Sequence, residues 1–182
     1  IDNASVSASF SATVPAYSGA IPEENPLQRM KITRKFTLKN NKLEVMLSFY
    51  NPTRHDMKFG FRAWNFPQSG ARFGRKNLSA SIGNSRITSK DSENHLFLKT
   101  EMNIPLEKNA LRKNWNGEKV VSSANDGSLK DELAILPSLK FAGVYIWNSQ
   151  GLVPLHTIEF LSPWVTLLPN GKADFSYEFV TR

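Results

Sequence analysis

An acidic residue in an apolar strand is the first candidate for chemistry in this sequence. Glu159 follows Ile158 and precedes Phe160. Burial disfavours the charged form of a carboxyl group, so an unpaired acid in this setting has a raised pKa and suits a general base. On the polar face of a sandwich, the same residue would be an ion-paired structural acid. We name Glu159 as the candidate catalytic residue and leave the structural alternative open.

The three histidines are poor candidates for a partner acid. His156 lies three residues before Glu159 in the same predicted strand, so the two side chains face opposite sides of a regular strand. His55 falls in a predicted turn, and His95 opens a predicted strand. The histidines show no metal-ligand spacing and the chain has no cysteine, so we expect neither a metal nor another cofactor.

Tryptophans and arginines indicate a second kind of chemistry, ligand binding. Trp64, Trp147 and Trp164 each lie at a predicted strand end or turn, where an indole can present its face to the C–H surface of a sugar. Arg62 and Arg72 could add charge-assisted hydrogen bonds to a uronate or a sulfate. A tryptophan at a strand end can equally close a hydrophobic core, because it buries a large apolar area.

The strands that must position these residues are predicted from alternation of apolar and polar residues. The clearest hairpin joins Ile32–Leu38 to Leu43–Phe49 through Lys39–Lys42, and a second turn lies at Asn170-Gly171. Ser128 and Asp131 resemble a helix cap, which predicts a helix over Leu129–Leu136, and the polar run 109–126 predicts a surface loop. The pattern predicts an all-β protein, an antiparallel β-sandwich or supersandwich with at most one short helix.

Length and charge narrow the function classes. The 182 residues predict an N-terminal strand and Pro-rich arm over 1–30 and one sandwich domain over 31–182. The net charge of +7 (23 cations minus 16 acids) fits an anionic partner or simply solvated strand faces. No basic run carries interleaved aromatics, so we expect no nucleic acid, and no apolar run of about 18 residues predicts a membrane span.

A set of motifs stands in order near the end of the chain: His156-Thr157-Ile158-Glu159, Pro163, Leu167-Leu168-Pro169-Asn170-Gly171 and the alternating strand Phe175 to Phe179. This order resembles the C-terminal part of galactose-mutarotase-like proteins. Upstream, the strand ending at Asn51 and the following sequence from Phe59 to Phe66 are similar to an earlier strand pair of that family. The resemblance extends over about residues 31 to 182 and implies an antiparallel supersandwich whose concave face binds sugars.

The resemblance also implies roles for individual residues. Glu159 matches the family's glutamate, the general base at the anomeric hydroxyl. The place of the general-acid histidine, before an aromatic pair, is filled by Trp64. Because an indole cannot donate a proton as an imidazolium can, the match implies sugar binding without mutarotase activity.

Three functions follow as hypotheses. The first is a carbohydrate-interacting domain of a bacterial glycan-handling protein, periplasmic or secreted, that binds oligosaccharides or polysaccharides, including acidic ones, beside other domains of a longer chain. The second is an active aldose epimerase or related sugar enzyme that uses Glu159 as general base. The third is an immunoglobulin-like accessory or protein-interaction module in which Glu159 is a surface charge.

Overall fold

All regular elements in the described part of this computed structural model are β-strands. The structure describes residues 5–15, 25–65, 77–88, 95–98, 110–113, 118–125, 130–149 and 155–181. The strands are β1 (Ser5–Thr13), β2 (Lys31–Lys39), β3 (Lys42–Tyr50), β4 (Met57–Phe59), β5 (Arg62–Asn65), β6 (Asn77–Ile82), β7 (Ser85–Thr88), β8 (His95–Leu98), β9 (Ala110–Lys113), β10 (Val120–Asn125), β11 (Lys130–Pro137), β12 (Gly143–Ser149), β13 (Leu155–Leu161), β14 (Val165–Leu167) and β15 (Lys172–Thr181). The predicted all-β fold class is confirmed.

The chain divides into two units that interleave along the sequence. The first unit consists of Ile1–Gly60 and Trp164–Glu178, and the second of Phe61–Pro163 and Phe179–Arg182. Strand β15 contributes to both, because the division falls between Glu178 and Phe179. The predicted domain boundary after residue 30 stays a prediction.

The first unit is built on the predicted hairpin. Its strands follow the hydrogen-bonded order β1, β2, β3 and β15, and β4 pairs with β14. Strands β2 and β3 are antiparallel and joined at Asn40-Asn41, where Asn40 has a φ of 55°. Asparagine tolerates this left-handed conformation, which tight hairpin turns require. The predicted hairpin is confirmed.

The last strand supports the first unit in the way its alternation predicts. Phe175 and Tyr177 are buried, and Phe175 packs edge-to-face on Phe49 at 6.3 Å between ring centroids. The turn before this strand contains Asn170, with a φ of 57°, and Gly171. A Cβ at Gly171 would lie 2.7 Å from the carbonyl oxygen of Leu168, so the tight turn requires glycine.

The second unit contains two sets of paired strands. One follows the order β11, β10, β6 and β7, and the other is a five-stranded sheet in the order β5, β13, β12, β8 and β9. Strands β8 and β9 pair in parallel, which departs from the antiparallel prediction. A parallel pair needs a long connection between its strands, and eleven residues separate Leu98 from Ala110 in the sequence.

The predicted helix over Leu129–Leu136 is wrong. Lys130–Pro137 is strand β11 and pairs antiparallel with β10, from Val120 opposite Ile135 to Asn125 opposite Lys130. The predicted surface loop over 109–126 is also wrong, because it contains β9 and β10. Each strand is the other's hydrogen-bonding partner, and Val120 and Ile135 are both fully buried. In the described ranges, no helix is long and apolar enough to span a membrane.

Candidate functional site

Glu159 lies in the five-stranded sheet of the second unit, between two other strands. In the register of β13 with its neighbours, Glu159 is opposite Trp64 of β5 on one side and Tyr145 of β12 on the other. Its side chain is buried, with 3% of the residue exposed, although Trp64 beside it is 55% exposed. A buried carboxylate therefore lies next to an indole that solvent reaches.

Two buried polar side chains fix the register that brings Arg62 and Trp64 to Glu159. At one end of the β5–β13 pair, the Ser162 N–H donates to the Phe61 carbonyl and the Phe61 N–H donates to Ser162 Oγ at 2.8 Å. At the other end, Asn65 Nδ2 donates to the Ile158 carbonyl at 3.0 Å. Because a slip of one residue would turn Glu159 to the opposite face, these bonds define the site.

The Glu159 carboxylate has three polar neighbours. Thr157, two residues earlier on the same strand face, donates from Oγ1 to Oε1 at 2.7 Å. Arg62 forms an ion pair from Nε to Oε2, and Trp64 is the third neighbour, directly opposite Glu159 on β5. The Arg62 guanidinium in turn lies over the Tyr145 ring, 4.9 Å from its centroid, and 5.9 Å from the Trp64 centroid.

These five residues, Arg62, Trp64, Tyr145, Thr157 and Glu159, are named the Glu159 cluster here. Burial raises the pKa of Glu159 above its ordinary value of 4.5, and the contacts with Thr157, Arg62 and Trp64 oppose that rise. The carboxylate can still accept further hydrogen bonds, because its two oxygens offer about four lone-pair sites. The cluster thus combines an acceptor, a fixed cation and an exposed aromatic face.

The other predicted site residues are not all in this cluster. Trp164 belongs to the first unit, where it is 60% exposed and the Lys58 ammonium lies 5.6 Å from its ring centroid. The backbone of Trp147 on β12 pairs with that of Thr157. Arg72 lies outside the described residues. The structure therefore brings together Glu159, Trp64 and Arg62.

Sequence reasoning missed Tyr145 and Thr157. A signal for Thr157 is present in the sequence, because residues two apart on a strand share a face and threonine is a hydrogen-bond donor. Tyr145 lies opposite Glu159 because of the register between β12 and β13. The turn predicted between these two strands does not determine that register. Among the residues that the structure describes, no group of three or more His, Asp or Glu side chains could hold a metal ion.

Comparison with solved structures identifies the fold. A galactose mutarotase-like protein from Lactobacillus casei matches 97% of this chain and 70% of its own, with a TM-score of 0.57 and 10% identity. A galactose mutarotase related enzyme from Lactobacillus acidophilus matches 97% and 68%, with a TM-score of 0.57 and 15% identity. A galactose mutarotase-like protein from Clostridium acetobutylicum matches 100% and 64%, with a TM-score of 0.55 and 13% identity.

The chain has a galactose mutarotase-like fold. This confirms the resemblance stated from the residues around Glu159 and from the Leu-Pro-Asn-Gly turn. This chain spans 64% to 70% of the length of these three proteins. No family model matches it, and no curated protein matches it in sequence.

Proposed function

We propose that this chain is a carbohydrate-interacting domain of a bacterial glycan-handling protein and that the Glu159 cluster is its sugar-binding surface. One observation carries the proposal: an exposed indole, Trp64, lies beside a buried carboxylate, Glu159, in a mutarotase-like fold.

The chemistry of the cluster suits a sugar. The exposed Trp64 face can stack on the apolar C–H face of a pyranose, while the partly exposed Arg62 can donate to its hydroxyl groups and the buried Glu159 holds Arg62 in place. Ligand sites commonly combine such an aromatic surface with a few fixed polar groups. Because Ser162 and Asn65 hold both ends of the β5–β13 pair, these groups need no rearrangement to bind, which favours affinity.

The absence of mutarotase activity is part of the proposal. The cation in contact with Glu159 is Arg62. A guanidinium keeps its protons at all ordinary pH values, so it can stabilise charge but cannot act as the general acid of an epimerase. The ion pair also favours the charged form of Glu159 and ties one of its oxygens to Arg62. These contacts support binding over catalysis.

The test is calorimetric titration of neutral, uronate-containing and sulfated oligosaccharides. We expect Trp64→Ala to weaken binding at least about tenfold, because a central aromatic contact typically contributes more than about 1.4 kcal/mol. Trp164→Ala is the matched control, since Trp164 is similarly exposed but lies in the first unit. Equal losses in both variants, or no binding of any oligosaccharide by the wild type, would contradict the proposal.

A second candidate function is an aldose epimerase with Glu159 as general base. The raised pKa of Glu159 favours it, because a more basic carboxylate takes up a proton more readily. Polarimetry of aldose mutarotation separates the two candidates. A rate that falls to background in Glu159→Gln supports the enzyme, and equal rates with the wild type, the variant and buffer exclude it.

A further inference from the structure

A cleft lies in the first unit, and none of its lining residues belongs to the Glu159 cluster. Its volume is about 590 Å³, and it lies between the segment that precedes β2 and the bend between β3 and β4. This volume is within the range of small-molecule sites. The cleft is lined by Asn25, Pro26, Gln28, Arg29, Pro52, Thr53, Arg54, His55, Asp56 and Met57.

Two arginines give this cleft its chemistry. Arg29 lines one wall, and Arg54 lines the other. Both residues are exposed, and in the part of the chain that the structure describes neither guanidinium forms an ion pair. Asp56 also lines the cleft, so the formal charge of the lining, with His55 neutral, is +1 (two arginines minus one aspartate). Two guanidinium groups that line one space suit an oxyanion, which each can bind in bidentate fashion.

The backbone of Arg29 is strained in a way that points to a role for its side chain. Its φ is 66°, in the left-handed region. The other described non-glycine residues with positive φ are Asn40, in the β2–β3 hairpin turn, and Asn170, in the turn between β14 and β15, and asparagine is favoured in both. Arg29 is the third residue of the turn closed by the Met30 N–H bond to the Leu27 carbonyl at 3.1 Å, and non-glycine residues in this conformation are found more often at ligand-binding sites.

Hydrogen bonds fix both walls of the cleft. On one wall, Asn25 Oδ1 accepts from the Leu27 N–H at 3.0 Å, and the Arg29 N–H donates to the Val14 carbonyl at 2.8 Å. On the other wall, the buried Asn51 Nδ2 donates to the His55 carbonyl at 2.6 Å, and its Oδ1 accepts from the Thr53 N–H at 2.9 Å. The backbone that presents both arginines is therefore held in place before any ligand arrives.

We infer that this cleft is a second binding site, for an oxyanion group carried on a small ligand, with Arg29 and Arg54 as its clamp. Pro26 and Pro52 supply apolar surface for the rest of the ligand. The carboxylate of an acidic sugar and a sulfate share this chemistry. The inference does not depend on the proposed function of the Glu159 cluster, which lies in the other unit.

The experiment uses three probes: a glucuronate-containing disaccharide, its uncharged methyl ester and inorganic sulfate. Each is titrated calorimetrically into the full chain carrying Trp64→Ala, so that binding at the Glu159 cluster is weakened. The test variant combines Arg29→Asn, which suits the left-handed backbone, with Arg54→Gln. The control combines Lys35→Gln with Lys39→Gln, which removes the same charge from exposed positions on β2.

The cleft is expected to bind the disaccharide and to discriminate against its ester. Removing both arginines should weaken binding at least about tenfold, because hydrogen bonds to charged groups are individually strong. Binding of sulfate alone supports the oxyanion site and assigns it to a free anion. An equal loss in the lysine control, equal binding of acid and ester, or no binding of either anion would overturn the inference.

Discussion

Replacing Arg62 with glutamine is expected to destabilise the second unit by about 2 to 4 kcal/mol at neutral pH, because it leaves the buried Glu159 charge without its cation. The Arg62 side chain is 38% exposed and that of Glu159 is 4% exposed. Solvent therefore screens the charge of Arg62 more than that of Glu159. The loss of stability in Arg62→Gln should be smaller than for a pair in which both side chains are fully buried. Chemical denaturation followed by circular dichroism measures it.

The effect should depend on pH in a defined direction. The pKa of Glu159 is raised by burial, so the folded state binds its proton more tightly than the unfolded state does. The stability associated with that proton is present below the ordinary value of 4.5 and is lost as pH rises through the folded pKa. Arg62→Gln raises the folded pKa further, so the difference from the wild type should be small at pH 4 and grow towards pH 8.

The double variant Arg62→Gln with Glu159→Gln is the control for this prediction. It removes the buried charge together with its partner, and it should recover much of the lost stability at neutral pH. A single Arg62→Gln variant that is as stable as the wild type from pH 4 to pH 8 would show that the pair contributes nothing to the site.

Replacing Asn51 with alanine is expected to destabilise the first unit by about 3 to 5 kcal/mol. Asn51 is fully buried, and its Nδ2 donates to the carbonyls of His55 at 2.6 Å, Leu167 at 3.0 Å and Leu168 at 3.2 Å. Alanine removes these bonds and creates a cavity, although the Leu168 carbonyl keeps the Gly171 N–H and the His55 carbonyl keeps Thr53 Oγ1. Because Asn51 fixes one wall of the cleft, anion binding should weaken in the same variant.

Tyr50→Phe is the matched control for Asn51→Ala. It removes the neighbouring but exposed hydrogen bond from Tyr50 Oη to Asn170 Oδ1, and it should change the free energy of unfolding by no more than about 0.5 kcal/mol. Denaturant titrations of the two variants compare the costs directly. Similar small losses in both would contradict the structural role given to Asn51.

Local patterns in the sequence predicted the parts of the fold that depend on local rules. Asn40 and Asn170 adopt the left-handed conformation that asparagine tolerates, and Phe175 and Tyr177 are buried as the alternation of β15 predicts. The helix prediction is wrong because the pair Ser128 and Asp131 has the residue types of a helix cap. The strand that pairs with β11 is the polar β10, which the sequence pattern predicts as a loop. Pairing between separate segments leaves no local pattern to read.

The same limit applies to the site. The acidic Glu159 in an apolar strand was visible as a candidate, and Trp64 and Arg62 were visible as ligand-binding residues. The sequence does not predict that these three residues lie together. Their proximity depends on the register of β5 against β13, which the hydrogen bonds of Ser162 and Asn65 fix. From the sequence, Arg62 is predicted only to bind a ligand. In the structure it forms an ion pair with Glu159.

The most direct test of the sugar-binding surface is the indole N–H signal of Trp64 in a nitrogen-edited NMR titration with oligosaccharides. The signal is assigned by its loss in Trp64→Phe. If the Glu159 cluster binds the sugar, the Trp64 signal shifts saturably while the Trp164 signal of the other unit stays in place, and Glu159→Gln weakens the response. Two results would contradict the account. Either no oligosaccharide shifts the Trp64 signal, or an oligosaccharide that shifts the signals of other residues leaves that of Trp64 unchanged.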